Sequence, residues 1–301
     1  MPSLPGAFGS VDPLILLLLA MGLEGYLGGT WLTGLLAGPR GRLVRGAREL
    51  QRRLDRAQRG ATARSVRGWI VTFVLLLPPV VAGIAFEFVT RNLPYAVLLE
   101  LPVIAALVRQ RGPWQVAAAV RDGLSLGSPQ LAEQALQRLD PALSPPTTLP
   151  VRAADALGAR FADMAAGPAF AYLALGLPGL FVVSAVRLLS RLYGPDGPFG
   201  RAALTIERVV FWPAQRLAAL LLACASLFQP QGSGGQAIAR ALTGKSPGVV
   251  LRVGLGPAAS SVGAAVGGLD RALWLYGLAC LLQIGTVAAL LVLRLNLVGG
   301  N

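Results

Sequence analysis

The chain has 301 residues, 54% of them apolar and only 14% charged, with a mean hydropathy of +0.61, whereas soluble domains carry about 25% charge. That excludes an ordinary water-soluble fold and leaves a membrane protein. There is no histidine, which removes the Ser-His-Asp triad, His-based zinc sites, the usual haem ligand and the commonest general base; any chemistry must run on carboxylates, arginines and an oxygen-held metal. The net charge of +13 is nearly all arginine, Lys245 being the only lysine. Basic charge on a polytopic protein is ordinarily placed by the positive-inside rule, so nucleic acid is not expected as a partner.

No basic segment precedes Leu14 to Leu19 and no small-residue cleavage pattern follows, so an uncleaved first span is expected. Runs near the roughly 20 apolar residues that cross a bilayer lie at Leu14–Leu36, Trp69–Phe88, Gly167–Leu189, Val209–Phe228 and Ala272–Leu293, with a shorter one at Leu93–Val108. The expected fold is all-α: one polytopic membrane domain over 1–301, with about five or six hydrophobic helices plus amphipathic interfacial ones. Its setting is a bacterial inner (plasma) membrane.

Ten arginines between Arg40 and Arg67 place the 40–67 segment in the cytoplasm. Leu43, Ala47, Leu50, Leu54 and Ala57 make an apolar stripe on it, which predicts an interfacial helix anchored on anionic headgroups or, alternatively, one that attracts phosphorylated substrates. Pro78, Pro79 and Pro102 predict kinks. Arg109, Arg111 and Arg121 suit a second cytoplasmic segment, 109–164. Within it a short helix is expected, capped by Ser128, started by Pro129, apolar at Leu131, Ala135, Leu136 and Leu139, and stopped by Pro141. Leu143–Pro150 reads as a linker. Arg187, Arg191, Arg201 and Arg208 fall on the wrong side if Gly167–Leu189 crosses fully, so that run is either re-entrant or locally breaks the rule with side chains facing a site.

Several motifs carry little. Gly25 and Gly29, Gly34 and Gly38, and Gly263 and Gly267 are small-xxx-small pairs suited to helix packing. Gly244-Lys245-Ser246 lacks the first glycine of a phosphate loop, Ala239 standing there. Gly254-x-Gly256 opens no βαβ unit. Cys224 and Cys280 sit alone in apolar runs and suggest neither metal nor disulfide. More informative are ionisable groups in or beside the spans, each costing about 2.5 kcal/mol or more at the bilayer centre unless paired or solvated. Glu24, Glu87, Glu100, Asp163 and Glu207 are such acids; Arg91, Arg187, Arg208 and Arg216 are their candidate partners.

The densest pattern runs from Val151 to Leu217. It contains Asp155-x-x-x-Ala159-Arg160-x-x-Asp163 with Pro168, then Gly176-Leu177-Pro178-Gly179, Arg187-Leu188-Leu189-Ser190 with Gly194, Phe199-Gly200, Glu207-Arg208-x-x-Phe211, and Pro213-Ala214-Gln215-Arg216-Leu217. Ser246-Pro247-Gly248 follows later, and Glu24 with Gly28 stands near the start. This order resembles the CobD/CbiB family, integral membrane proteins of late cobalamin biosynthesis, whose corresponding runs read E-x-x-x-E-N-x-x-D, G-L-P-G, N-T-x-D, F-G, D-D-x-x-N, P-A-R-L, S-P-N and D-x-x-x-G. The glycine, proline and apolar frame persists, and much of the polar equipment is replaced. The family's early His-Pro has no counterpart.

The resemblance implies an adenosylcobinamide-phosphate synthase, forming an amide between adenosylcobyric acid and an aminopropanol phosphate with ATP and Mg²⁺ and with no covalently bound cofactor. Asp163 and Glu207 would be the catalytic acids and hold Mg²⁺, which commonly needs one or two carboxylates plus phosphates. Arg216, Arg160, Asp155 and Glu24 would bind substrate. The expected partners are membrane lipid, a corrinoid and other membrane proteins. The alternative is a non-catalytic relative serving as a membrane scaffold or regulatory partner, as the related AmpE-like proteins are thought to do, since Arg208 reverses the charge of an acidic position.

Overall fold

In the computed structural model of the protein, residues 12–28, 34, 37–55, 60–92, 97–139, 148–194, 197–229, 232–256 and 262–299 are described, and among them every regular element is helical. In chain order they are α1 (Pro13–Leu27), α2 (Ala37–Leu54), α3 (Ala61–Asn92), α4 (Val97–Leu107), α5 (Arg111–Ser125), α6 (Pro129–Leu139), α7 (Leu149–Phe161), a π turn (Ala162–Ala166), α8 (Gly167–Tyr193), α9 (Arg201–Ser226), α10 (Gly234–Leu242), α11 (Pro247–Gly254) and α12 (Val262–Gly299). Among the described residues four helical runs are long and apolar enough to cross a membrane: Ala61–Asn92, Leu149–Tyr193, Arg201–Ser226 and Val266–Leu297. The chain is an all-α, multi-pass membrane protein. The remaining two expected hydrophobic helices are the short α1 and α4. The helix predicted to continue to Leu36 instead ends at Leu27, because Gly28 takes φ 71°, a left-handed conformation open to glycine and costly for other residues.

The chain divides into two compact units that interleave in sequence. One is built from 1–108, 168–211 and 294–301, the other from 109–167 and 212–293.

In the first unit, α1 starts at Asp12, whose carboxylate accepts the Leu14 N–H at 2.9 Å, and packs on α4. Helix α2 has the predicted stripe, but protein covers it: Leu43, Leu50 and Leu54 pack against the core that holds Val71, Leu75, Leu189 and Tyr193. Ala57 lies outside the described residues. The Tyr193 hydroxyl donates to the Ala47 carbonyl at 2.6 Å, while Arg42, Arg45, Arg48, Arg52 and Arg53 stay exposed. Helix α2 thus packs its apolar side on protein, with Leu43, Leu50 and Leu54 partly buried.

Two glycines of α3 set its packing on the return segment. A methyl group at Gly68 would collide with the Phe199 carbonyl oxygen, and one at Gly83 would lie 2.6 Å from the Pro178 Cα. As the chain rises from 68 to 83 its partner falls from 199 to 178, so the segments run antiparallel over about 22 Å at 1.5 Å per residue. Tyr193 and Arg201 thus sit at the same end of this unit as α2. Arg191 and Arg201, next to Tyr193 and the start of α9, therefore lie toward the end of this unit that carries α2. The Gly167–Leu189 run is itself broken: Gly176 has φ 66° and ψ −151°, splitting α8 into two helical pieces.

In the second unit, α5 and α6 meet through Gly123, where a methyl would lie 2.7 Å from the Ala132 nitrogen. Ala132, Ala135, Leu136 and Leu139 form the buried face of α6, whereas Leu131, predicted to be buried, is 52% exposed. The buried set follows an i, i+3, i+4, i+7 pattern starting at 132, and Leu131 falls a residue outside it. The stop at Pro141 and most of the expected linker lie outside the described residues, and Leu149 and Pro150 already open α7.

Candidate functional site

The surviving acid of the first unit, Glu207, is not free. It forms an ion pair with Arg187, and that guanidinium also lies over the Phe211 ring, 5.5 Å from its centroid. Arg187 and Phe211 both stand where the CobD/CbiB pattern has asparagine. These replacements are mutually satisfied, since acid, cation and aromatic face close on one another. In the same unit Arg91 pairs with Glu87 one turn away on α3, and the buried Glu100 accepts a hydrogen bond from Tyr172 at 2.7 Å. Glu24 is fully buried on α1.

The second unit holds the other predicted positions. Helices α7 and α11 approach backbone to backbone through glycines: a methyl at Gly158 would lie 2.7 Å from the Pro247 carbonyl oxygen, and one at Gly248 would collide with the Asp155 carbonyl. Gly248 stands where the family pattern has asparagine, so this helix contact is one no larger residue permits. Asp155 reaches across it to Arg252 at 3.1 Å through Oδ2, and its buried Oδ1 has no hydrogen-bond partner among the described residues.

Arg160, also at an asparagine position, is buried and donates from Nε to the Leu139 carbonyl at 2.6 Å. It thereby satisfies a carbonyl at the C-terminal end of α6, where a cation complements the helix dipole. Asp163 is 7% exposed and lies in the π turn. The widened turn leaves the Met164 carbonyl to accept the Arg109 backbone N–H at 2.7 Å. Such π insertions occur mostly as single turns and frequently at functional sites.

Arg216 is the exception among these groups. Its guanidinium lies over the Trp212 ring at 5.5 Å and against Gly244, whose φ of 82° and missing Cβ make the space that the guanidinium fills. No carboxylate pairs with it among the described residues. Sequence reasoning found Arg216 through its motif but not its setting. Trp212 stands one helical turn before Arg216, a detectable spacing, whereas nothing local announces Gly244.

The structure therefore places Asp155, Arg160, Asp163 and Arg216 in the second unit and Glu24 and Glu207 in the first. Among the described residues no three carboxylate or cysteine side chains gather to hold a metal, and Glu207 already has Arg187. These residues fit Mg²⁺ only as an ion delivered on ATP phosphates, with one or two protein carboxylates completing its shell.

No protein-family profile matches the chain, and no solved structure matches it. Over 232 residues it is 28% identical to the cobalamin biosynthesis protein CobD of Rhizobium meliloti (strain 1021), covering 73% of this chain and 70% of that protein. That likeness supports a divergent relative of the CobD/CbiB family. With its membrane-length helices, the likeness supports a membrane protein of cobalamin biosynthesis. The replaced CobD/CbiB positions fall into two kinds: Arg187 and Phe211 meet around Glu207, while Arg160 and Gly248 serve helix ends and contacts.

Proposed function

We propose that this CobD/CbiB relative forms an amide between adenosylcobyric acid and an aminopropanol phosphate, driven by ATP, in the bacterial inner membrane. The observation that carries the reading is Asp163: the motif's last acid is kept, buried, and set in a π turn. Mg²⁺ bound with ATP would supply charge neutralisation at the phosphates. In the second unit Asp163 would be the carboxylate that holds the ion, while in the first Glu207, the other acid at a motif position, is paired with Arg187. Arg216 receives phosphate oxygens, and Arg160, Asp155 and Glu24 contact the substrates. Lipid surrounds the spans, and the corrinoid is the large partner.

The Arg187–Glu207–Phe211 cluster favours a second reading, a scaffold whose reaction has lapsed, because it neutralises one of the two acids. One experiment separates them. The gene is placed in a strain lacking its own synthase, and cobalamin made from cobyric acid is measured for the wild type and for Asp163→Asn. Restoration by the wild type with at least a tenfold loss in the variant, about 1.4 kcal/mol of transition-state stabilisation, is expected at equal amounts of folded protein. No restoration at normal membrane levels would leave the scaffold.

A further inference from the structure

Within the second unit, α5 and α12 part around a groove of about 560 Å³, walled by Trp114 and Arg121 of α5 and by Asp270, Trp274, Gly277 and Leu281 of α12, among others. The α12 residues recur at spacings of four, three and four, so they share one face of that helix. The walls are fixed to each other at two points: Tyr276 donates to the Gln110 carbonyl at 2.7 Å, and Arg121 donates to Asp270 at 3.0 Å.

The groove is charged at one end only. Asp270 stands four residues after the start of the Val266–Leu297 run. From there to Leu281 the helix rises about 16 Å at 1.5 Å per residue, close to one leaflet, which is half of a hydrocarbon core about 30 Å thick. Along that length Trp114, Trp274 and Leu281 are 39%, 52% and 64% exposed, and a methyl on Gly277 would meet nothing within 4 Å among the described residues. Tryptophans just inside a charged pair suit the interfacial belt of membrane proteins. A charged end followed by one leaflet's length of open apolar wall has the form of a single phospholipid, whereas a helix from a second copy would run on through the other leaflet.

The charges select the headgroup. Arg121 donates from Nη1 to Asp270, and from Nε and Nη2 to Asp122 at 2.9 and 2.7 Å. One cation thus faces two carboxylates, and two of the five N–H donors of a guanidinium are left for further oxygens. Arg271, next along α12, is turned to the Gly267 carbonyl at 3.3 Å. An ammonium with N–H groups answers the surplus carboxylate and a phosphate oxygen answers the arginine, while a headgroup carrying only negative charge is repelled. We propose that this groove binds one bilayer phospholipid whose headgroup carries a primary ammonium beside its phosphate, as phosphatidylethanolamine does. The site does not depend on the amide-forming reading.

The test uses the whole chain in detergent, titrated with phosphatidylethanolamine or phosphatidylglycerol carrying the same brominated chains, which quench tryptophan fluorescence on contact. The chain has five tryptophans, so the quenching due to the groove is the part lost when Trp114 and Trp274 are both replaced by phenylalanine. That part should saturate with phosphatidylethanolamine and need at least tenfold more phosphatidylglycerol. Gly277→Leu, which fills the groove, should raise the phosphatidylethanolamine requirement at least tenfold, and Asp270→Asn should erase the preference between the two lipids. Equal quenching of the wild type by both lipids overturns the proposal, as does an unchanged titration in Gly277→Leu. Should Gly277→Leu not fold, a preference that survives in Asp270→Asn is equally fatal. If Leu281→Cys instead cross-links into dimers and the quenching falls as protein concentration rises, the groove is an interface between copies and the lipid site fails. None of these readouts involves cobalamin production, so a failure here leaves the proposed function standing and a failure there leaves this site.

Discussion

The two units treat lost polar residues differently. In the first, the replacements answer one another: Arg187 pairs with Glu207 and rests on Phe211. In the second, Gly248 and Arg160 are absorbed into helix contacts, yet Asp163 stays buried in a π turn and Arg216 stays without a counter-ion among the described residues. Counting substitutions along the sequence does not distinguish these fates; asking what each new side chain touches does.

The contrast can be tested from its strongest consequence downward. Gly248→Ala should be the most damaging change, because its methyl would strike the Asp155 carbonyl and force α7 and α11 apart; a loss of about 3 kcal/mol is expected in thermal unfolding in detergent, and Gly158→Ala should behave alike. A mild effect would mean that the α7–α11 contact is not a tight one. Glu207→Gln comes next. It leaves Arg187 part-buried beside an uncharged amide, for a cost of about 2 kcal/mol, whereas replacing both Arg187 and Glu207 by leucine should cost far less than the two single changes together. Additive costs would show that the pair is not a unit. Under the same comparison Glu207→Gln lowers stability, while Asp163→Asn lowers turnover with stability unchanged.

Tyr193→Phe removes one donor to the Ala47 carbonyl and should cost about 1 kcal/mol, with faster protease cleavage in α2 as the local readout. The smallest effect is expected at Gly277 of α12, where a methyl meets nothing within 4 Å among the described residues; Gly277→Ala should change stability by no more than about 0.5 kcal/mol. A large change there would point to a contact outside the chain.

Much of the fold was legible because length and apolar composition alone require helices of bilayer length. The contacts between helices were not. Gly25, Gly34, Gly38 and Gly267 belong to the small-xxx-small pairs, yet a methyl on any of them would meet nothing within 4 Å among the described residues. The close approaches fall at Gly68, Gly83, Gly158 and Gly248, which belong to none of those pairs. What makes a glycine necessary is the backbone opposite it, and that lies far away in sequence. The α2 stripe shows a related ambiguity: Leu43, Ala47, Leu50 and Leu54 read as a surface that seeks apolar company, and periodicity cannot say whether lipid or protein supplies it. At the candidate site, motif spacing found Asp155, Asp163, Glu207 and Arg216. It could not foresee that Arg187 folds onto Glu207 or that Gly244 comes to rest against Arg216.

The antiparallel packing of α3 on the second piece of α8 also bears on how the protein is made. Because Tyr193 ties its loop to α2, the arginines of 40–53 emerge with Arg191 and Arg201 at one end of the same unit. During insertion two segments translated at different times therefore carry the same instruction about which side of the bilayer to keep, since basic loops are retained on one side. Thinning the charge of one loop should then leave the other to hold the orientation.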